Sequence, residues 1–269
     1  MTTVLAGGDS FVFGAELADQ INGIPSQSTY PALLSQSIDA PYICAAQSGN
    51  SNSAISRMVM NACEAHKGKQ LFVFVSWTFT CRYEFHFNYQ VRRGTQWYSI
   101  NPWDKSNITE ITRIVETNPT ILKHHRDHMH RITDLKLNDF ASEFFKHVGD
   151  NEIYETYTTL KEIVFLQNYL KINKIPYLFT CQDNNIFHHY ETTSNNLNIK
   201  TLNEQIDMDN WYLFPRGYGV DQVEHPRGFY QWAMENKYPV GTTHPLEQAH
   251  ADAAKFMQEK FNEMVKKSV

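Results

Sequence analysis

The sequence predicts an α/β fold built around a parallel β-sheet, and three observations carry that prediction. Short, continuous apolar runs recur at Thr3–Ala6, Tyr42–Ala46, Leu71–Trp77 and Tyr177–Cys181. Segments with apolar residues at helical spacing stand between and after them. The chain has 269 residues, 42% of them hydrophobic, which is enough for a substantial buried core. Runs that are continuous rather than alternating suit strands covered on both faces. Strand and helix in alternation give a parallel sheet.

Taken in order, Thr3–Ala6 reads as the first strand and ends in Gly7-Gly8-Asp9-Ser10, a turn sequence. Tyr30–Ile38 reads as a helix, with Pro31 at home in its first turn. After the second strand, Ser48-Gly49-Asn50-Ser51-Asn52 leads into a helix over Asn52–His66, where Ile55, Met58, Val59 and Ala62 share a face. Asn50, Ser51 and Asn52 are equally suited to cap it. The third strand, Leu71–Trp77, is followed by a long aromatic, histidine-rich stretch at about 79–155 that breaks the rhythm. It reads as an insertion over the carboxyl edge of the sheet, where α/β proteins bind ligands. Tyr157–Asn173 is a helix with Leu160, Ile163, Val164, Leu166 and Leu170 buried, and it leads to the fourth strand. Pro245–Val265 is the last helix, with Pro245 opening it and Ala249, Ala253, Phe256, Met257 and Phe261 as its apolar stripe. The expectation is one domain over 1–269, with a sheet of about five strands.

Composition narrows the function. A formal net charge of −5 argues against a nucleic-acid partner held by backbone electrostatics. No apolar stretch is long enough to span a membrane, and Met1–Ala6 shows no basic leader segment, so a cytoplasmic protein is expected. Cys44, Cys63, Cys81 and Cys181 form no C-x-x-C pair and read as free thiols. His124 and His128 stand at i, i+4 in a histidine-rich run, a spacing that metals use. A solvated helix is the simpler reading, and neither metal nor cofactor is predicted. A chelator-sensitive hydrolase on His124, His128 and His130 is the reading this sets aside.

The chemistry points to the two ends of the chain. Ser10 follows the first strand, at the carboxyl edge where sites form. A serine needs a base to become a nucleophile, and His244, in Thr243-His244-Pro245, is the candidate. Residues far apart in sequence can meet in such a pair. The N–H groups of Gly49 and Ser10 are candidates for holding the oxyanion of a tetrahedral intermediate.

These blocks, in this order, resemble those of the SGNH hydrolases, the GDSL-type esterases and lipases. Gly8-Asp9-Ser10 matches the nucleophile block, Gly49 within Gln47-Ser48-Gly49-Asn50 the glycine block, and His244-Pro245 the histidine block. The resemblance implies a flavodoxin-like three-layer α/β/α sandwich. It also implies a serine hydrolase acting on a short acyl ester or a carbohydrate O-acetyl ester. Ser10 and His244 would be catalytic, Ser10, Gly49 and Thr78 would be oxyanion donors, and no cofactor is required. Separately, the aromatic composition of the insertion, with Trp97 and Trp103, suggests a surface that stacks on a sugar ring.

Two departures stand out. Where the family has Gly-x-Asn-Asp, this chain has Ser76-Trp77-Thr78-Phe79, so Thr78 takes the place of an oxyanion-donating asparagine. Removing such a donor costs about 100- to 1000-fold in turnover. The family's orienting aspartate stands three residues before the histidine, where this chain has Gly241. Asp221, Glu224 and Glu247 are the acids considered in its stead, and a backbone carbonyl is the other possibility. The stretch Trp77–Phe85 is similar to a variant third block of SGNH-like proteins of tailed phages, in which Arg82 and Glu84 point at the site. Arg82 and Glu84 are therefore expected substrate contacts, and Asn50 is a third, since its side-chain amide, like that of Asn52, can donate to the oxyanion where Thr78 falls short. The competing class is an SGNH-like protein that binds or assembles without catalysis.

Overall fold

A computed structural model describes residues 2–21, 23–91, 94–105, 133–187, 196–218 and 224–266. Four parallel strands form the central sheet: β1 (Thr3–Gly7), β2 (Tyr42–Cys44), β3 (Leu71–Trp77) and β6 (Tyr177–Cys181), in the order β2-β1-β3-β6. Their register pairs Val4 with Tyr42 and Phe72, and Phe74 with Leu178. Successive residues of each strand feed opposite faces, as the pleat requires. On one face Val4, Ala6, Phe72, Phe74 and Leu178 pack against α2 (Tyr30–Gln36), α7 (Phe229–Glu235) and α8 (Glu247–Lys266). On the other, Leu5, Val73, Val75, Trp77 and Phe179 pack against α3 (Asn52–Ala65) and α5 (Glu152–Ile172). Both faces are buried, so the strands are apolar throughout, and the result is an α/β/α sandwich.

Among the described residues the sheet has four strands, where about five were expected. At the β6 edge, Trp211 makes a single parallel bridge to Phe179, and the Tyr212 N–H donates to the Phe179 carbonyl at 2.8 Å. Pro215, with no N–H for a ladder, follows closely. The chain there forms an antiparallel hairpin, β7 (Phe214–Tyr218) with β8 (Glu224–Arg227).

After β3 the chain builds a second antiparallel hairpin, β4 (Tyr83–His86) and β5 (Trp97–Ile100), and then, beyond a gap in the described residues, α4 (Leu137–Phe144), which runs into a π-helical turn at Phe145–Gly149. Tyr83, Tyr98, Ile100, Leu137, Ala141 and Phe145 form its own small core. The histidine run His124–His130 lies outside the described residues.

The topology locates the site. From β1 the chain crosses to β2 on one side and then to β3 on the other, so the carboxyl ends of β1 and β3 flank the switch point, where α/β sheets open a crevice. Gly8 lets α1 (Ser10–Phe13) fold back on the strand end, since a Cβ there would overlap Val12. No helix among the described residues is long and apolar enough to cross a membrane.

Candidate active site

Asp9 caps α1, its carboxylate accepting from the Phe11 N–H at 3.1 Å, and Ser10 is the first helical residue. Its N–H falls among the orphan donors of a helix start and has no partner among the described residues. The Ser10 hydroxyl lies 2.8 Å from His244 Nε2, bridging 234 positions of sequence. His244 does not precede a helix opened by Pro245, as the sequence suggested. Instead Val240 and Pro245 pair as a bridge, Gly241 N–H donates to the His244 carbonyl at 2.9 Å, and α8 begins at Glu247. His244 therefore projects from a tight turn, and its ring packs on Phe11 with centroids 4.7 Å apart.

The acid that meets His244 is Glu16, a residue that the motifs did not single out. Its Oε1 lies 3.0 Å from His244 Nδ1 and accepts from the Thr243 hydroxyl at 3.0 Å. Its Oε2 accepts from the backbone N–H groups of Thr242 and, at 3.1 Å, Thr243. Burial works to raise the Glu16 pKa. Hydrogen bonds from His244 and Thr243, with the His244 charge, outweigh it and hold the carboxyl below its usual range. A carboxylate on Nδ1 favours the tautomer that carries its hydrogen there, which leaves the Nε2 lone pair for the Ser10 hydroxyl.

Glu16 sits at φ +70°, in the left-handed region that non-glycine residues seldom occupy. The loop around it is held from both sides: Asp19 accepts from Gln27 N–H and the Ser28 hydroxyl, and Glu247 accepts from Ala18 N–H at 2.8 Å. Gly241, at the position of the family's aspartate, makes room for this arrangement, since a Cβ there would overlap the Glu16 carboxylate. Of the acids considered from sequence, Glu247 fastens this loop instead of touching His244. Glu224 is in β8, and Asp221 lies outside the described residues.

On the other side of Ser10 the polar groups are buried and mutually engaged. The Thr78 hydroxyl donates to Asp9 Oδ2 at 2.6 Å, so its one hydrogen is not free for an oxyanion. Arg82 Nη1 donates to the same oxygen at 3.0 Å and to the Asn50 carbonyl at 3.2 Å. Asn52 clamps the Thr78 backbone, accepting from its N–H at 2.9 Å and donating to its carbonyl at 3.2 Å. Ser51 supplies the α3 cap, accepting from Ala54 N–H.

Gly49 adopts φ +82°, a conformation glycine takes without strain, and its N–H has no partner among the described residues. Asn50 turns its amide inward, donating to the Gly8 carbonyl at 3.0 Å, which ties the glycine block to the nucleophile turn rather than offering the amide to a ligand. Glu84 is likewise spoken for. Arg57 grips its carboxylate at 2.9 and 2.6 Å, fastening the β4–β5 hairpin to α3. The Arg57 guanidinium carbon lies 4.6 Å from the Trp97 ring centroid, and both Trp97 and Trp103 are exposed. His250, near His244 in sequence, is buried against Tyr30 and accepts from its N–H. Burial, then the His244 charge, drive its pKa down to about 3.

No protein-family model matches the chain, and no curated protein matches its sequence. Among solved structures, it is similar to the acetyl xylan esterase Est2A from the rumen bacterium Butyrivibrio proteoclasticus (10% identity, TM-score 0.46, covering 98% of this chain and 64% of that one). It is also similar to the psychrotrophic esterase EstA from a Pseudoalteromonas species (11%, 0.43, 98% and 97%) and to a member of the lipolytic G-D-S-L family from Veillonella parvula (13%, 0.39, 98% and 97%). These likenesses assign no residue a role.

Proposed function

We propose that this chain is a serine ester hydrolase of the SGNH type, working through Ser10, His244 and Glu16. The observation that carries the reading is the continuous relay from Ser10 Oγ to His244 Nε2 at 2.8 Å and from His244 Nδ1 to Glu16 Oε1 at 3.0 Å. In this reading His244 takes the hydroxyl proton as Ser10 Oγ adds to the ester carbonyl. The carbonyl π pair moves to the oxygen, toward the N–H groups of Ser10 and Gly49. Collapse expels the alcohol, which leaves with the proton from His244. Water then repeats the sequence on the acyl-enzyme, with His244 again as base. Glu16 orients the ring and stabilises its cationic form throughout.

The neighbourhood favours a neutral, apolar group on the ester. Phe11, which packs on His244, stands together with Phe79 and Tyr230, their centroids 5.8 to 6.5 Å apart, and Phe79 and Tyr230 are only partly covered. A small acyl group such as acetyl, on a simple or a carbohydrate alcohol, suits such a wall.

The test is hydrolysis of p-nitrophenyl acetate and butyrate by the wild type and Ser10→Ala, with mass-spectrometric detection of a fluorophosphonate adduct. Turnover that falls by about 10⁴-fold or more in Ser10→Ala, with the adduct on Ser10, is expected. A folded wild type that neither turns over esters nor takes the label would sink the reading and favour a binding protein on the same scaffold.

A further inference from the structure

Thr78 stands where the resembling family has an oxyanion-donating amide, yet its only hydrogen goes to Asp9. Arg82 offers what Thr78 lacks. Its side chain is 8% exposed and is held on three sides: by Asp9, by the Asn50 carbonyl and by the Phe79 ring, 4.9 Å from the guanidinium carbon. Both hydrogen bonds come from Nη1. A guanidinium carries five N–H donors. Nε is buried without a partner, and Nη2 has none among the described residues. Unused donors on a nearly buried cation are costly unless something accepts from them.

The two polar anchors of Arg82 locate it. Asp9 immediately precedes Ser10, and Asn50 immediately follows Gly49. The guanidinium is thus pinned to the two segments that carry the Ser10 and Gly49 N–H groups, neither of which has a partner among the described residues. Building on the Ser10–His244–Glu16 reading, we propose that Arg82 is the third oxyanion donor of this site. Its Nη2 hydrogens bond the carbonyl oxygen as charge develops there. Nothing is transferred to or from Arg82: the Ser10 proton goes to His244 and the π pair to the oxygen, which the cation stabilises by charge-assisted hydrogen bonds.

Binding a substrate carboxylate is the other task an arginine could have here, and the charge balance disfavours it. Asp9, itself fully buried, neutralises Arg82 at 3.0 Å, and Glu16 adds a second negative charge beside His244. The site offers no net positive charge to draw in an anion from water. It does offer fixed donors to a charge that appears in place.

The experiment compares wild type, Arg82→Lys and Arg82→Ala in two rates: turnover of the neutral p-nitrophenyl acetate, and labelling of Ser10 by a neutral fluorophosphonate, whose phosphoryl oxygen enters the same hole. Melting temperatures are read alongside. Lysine keeps the charge beside Asp9 and loses the fork. We expect Arg82→Lys to lose about 100-fold in kcat and a similar factor in labelling, with KM little changed. Added guanidinium ion should restore part of both rates in Arg82→Ala, which decides the matter if the lysine variant does not fold. A folded Arg82→Lys within about threefold of wild type in both rates, far short of what an oxyanion donor is worth, overturns the inference. So does a folded Arg82→Ala that guanidinium does not rescue. A loss confined to esters bearing a carboxylate would overturn it in favour of anion binding. Failure of the wild type itself to label would remove the Ser10 reading and this inference with it, whereas labelling that ignores Arg82 removes the inference alone.

Discussion

The two flanks of Ser10 are built on opposite principles. Toward His244 the groups are partly exposed and come from two loops: the His244 side chain is 15% exposed and that of Glu16 27%. Toward Arg82 the groups are buried and cross-braced: the Asp9 side chain is 0% exposed and that of Arg82 8%. The difference matches what the proposed mechanism asks of each flank. A base must gain and lose a proton within a cycle, which partial contact with water permits. A hole for a developing charge works best when its donors need no reorganisation, and burial in a fixed lattice supplies that. In the proposed mechanism one flank moves a proton and the other holds still.

The largest way to break this contrast is at the open flank. Glu16→Gln keeps the shape and removes the charge, and kcat on p-nitrophenyl acetate should fall by about 10³-fold, between the cost of a lost aspartate in a serine protease and that of a mere hydrogen bond. Melting temperature should move little, because the side chain is partly solvated. A drop under about tenfold, against the four decades an orienting acid can carry, would mean His244 does not depend on Glu16. At the buried flank the expected damage is to stability. Asn52→Ala strips the Thr78 backbone of two partners in a dry site, and urea unfolding should show about 2–4 kcal/mol lost. An unchanged midpoint would show that flank to be less rigid than its hydrogen bonds indicate.

Smaller effects sharpen the comparison. Gly241→Ala puts a methyl group into the Glu16 carboxylate and should lower kcat by up to about 100-fold, the cost of a group misplaced by about 1 Å. Gly241→Asp in a Glu16→Ala background tests the same space from the other side, since truncating Glu16 clears it, and part of the rate should return. The mildest change concerns His250. Its pKa, lowered from an ordinary 6.5 to about 3, means the unfolded chain binds a proton that the folded one refuses. The stability it confers is full above 6.5 and is lost progressively as pH falls toward 3. His250→Phe should therefore show a smaller fall in melting temperature between pH 7 and pH 4 than the wild type, and an equal fall would refute the assignment.

Much of the scaffold was legible because it follows from periodicity. Continuous apolar runs marked β1, β3 and β6 to within a residue, and helical spacing marked α3 and α5. The meeting of Ser10 with His244 was legible because each stands in a short motif after a recognisable element. Glu16 was not, because nothing local marks it. It lies in a loop of ordinary composition, and its carboxylate finds His244 only through an uncommon backbone conformation and a turn more than two hundred residues away. Thr78 and Glu84 were assigned to ligands by resemblance, and Asn50 by the chemistry of its amide. Each turned out to be satisfied by the protein, and partner choice of that kind depends on side-chain directions that spacing does not encode. The choice of Ser51 as cap over its neighbours has the same origin: all three residues suit the role, and only the strand-end geometry selects one.

The interlock of Glu16 with Gly241 carries a consequence for descent. An acid reaching from the first loop and a bare backbone in the last turn are two halves of one arrangement, and either alone is a handicap. Chains related to this one should therefore change the two positions together. Those that carry an aspartate three places before the histidine should have a short or neutral residue where Glu16 stands. Lineages should switch between the two solutions by two linked changes, passing through an intermediate that folds but turns over slowly.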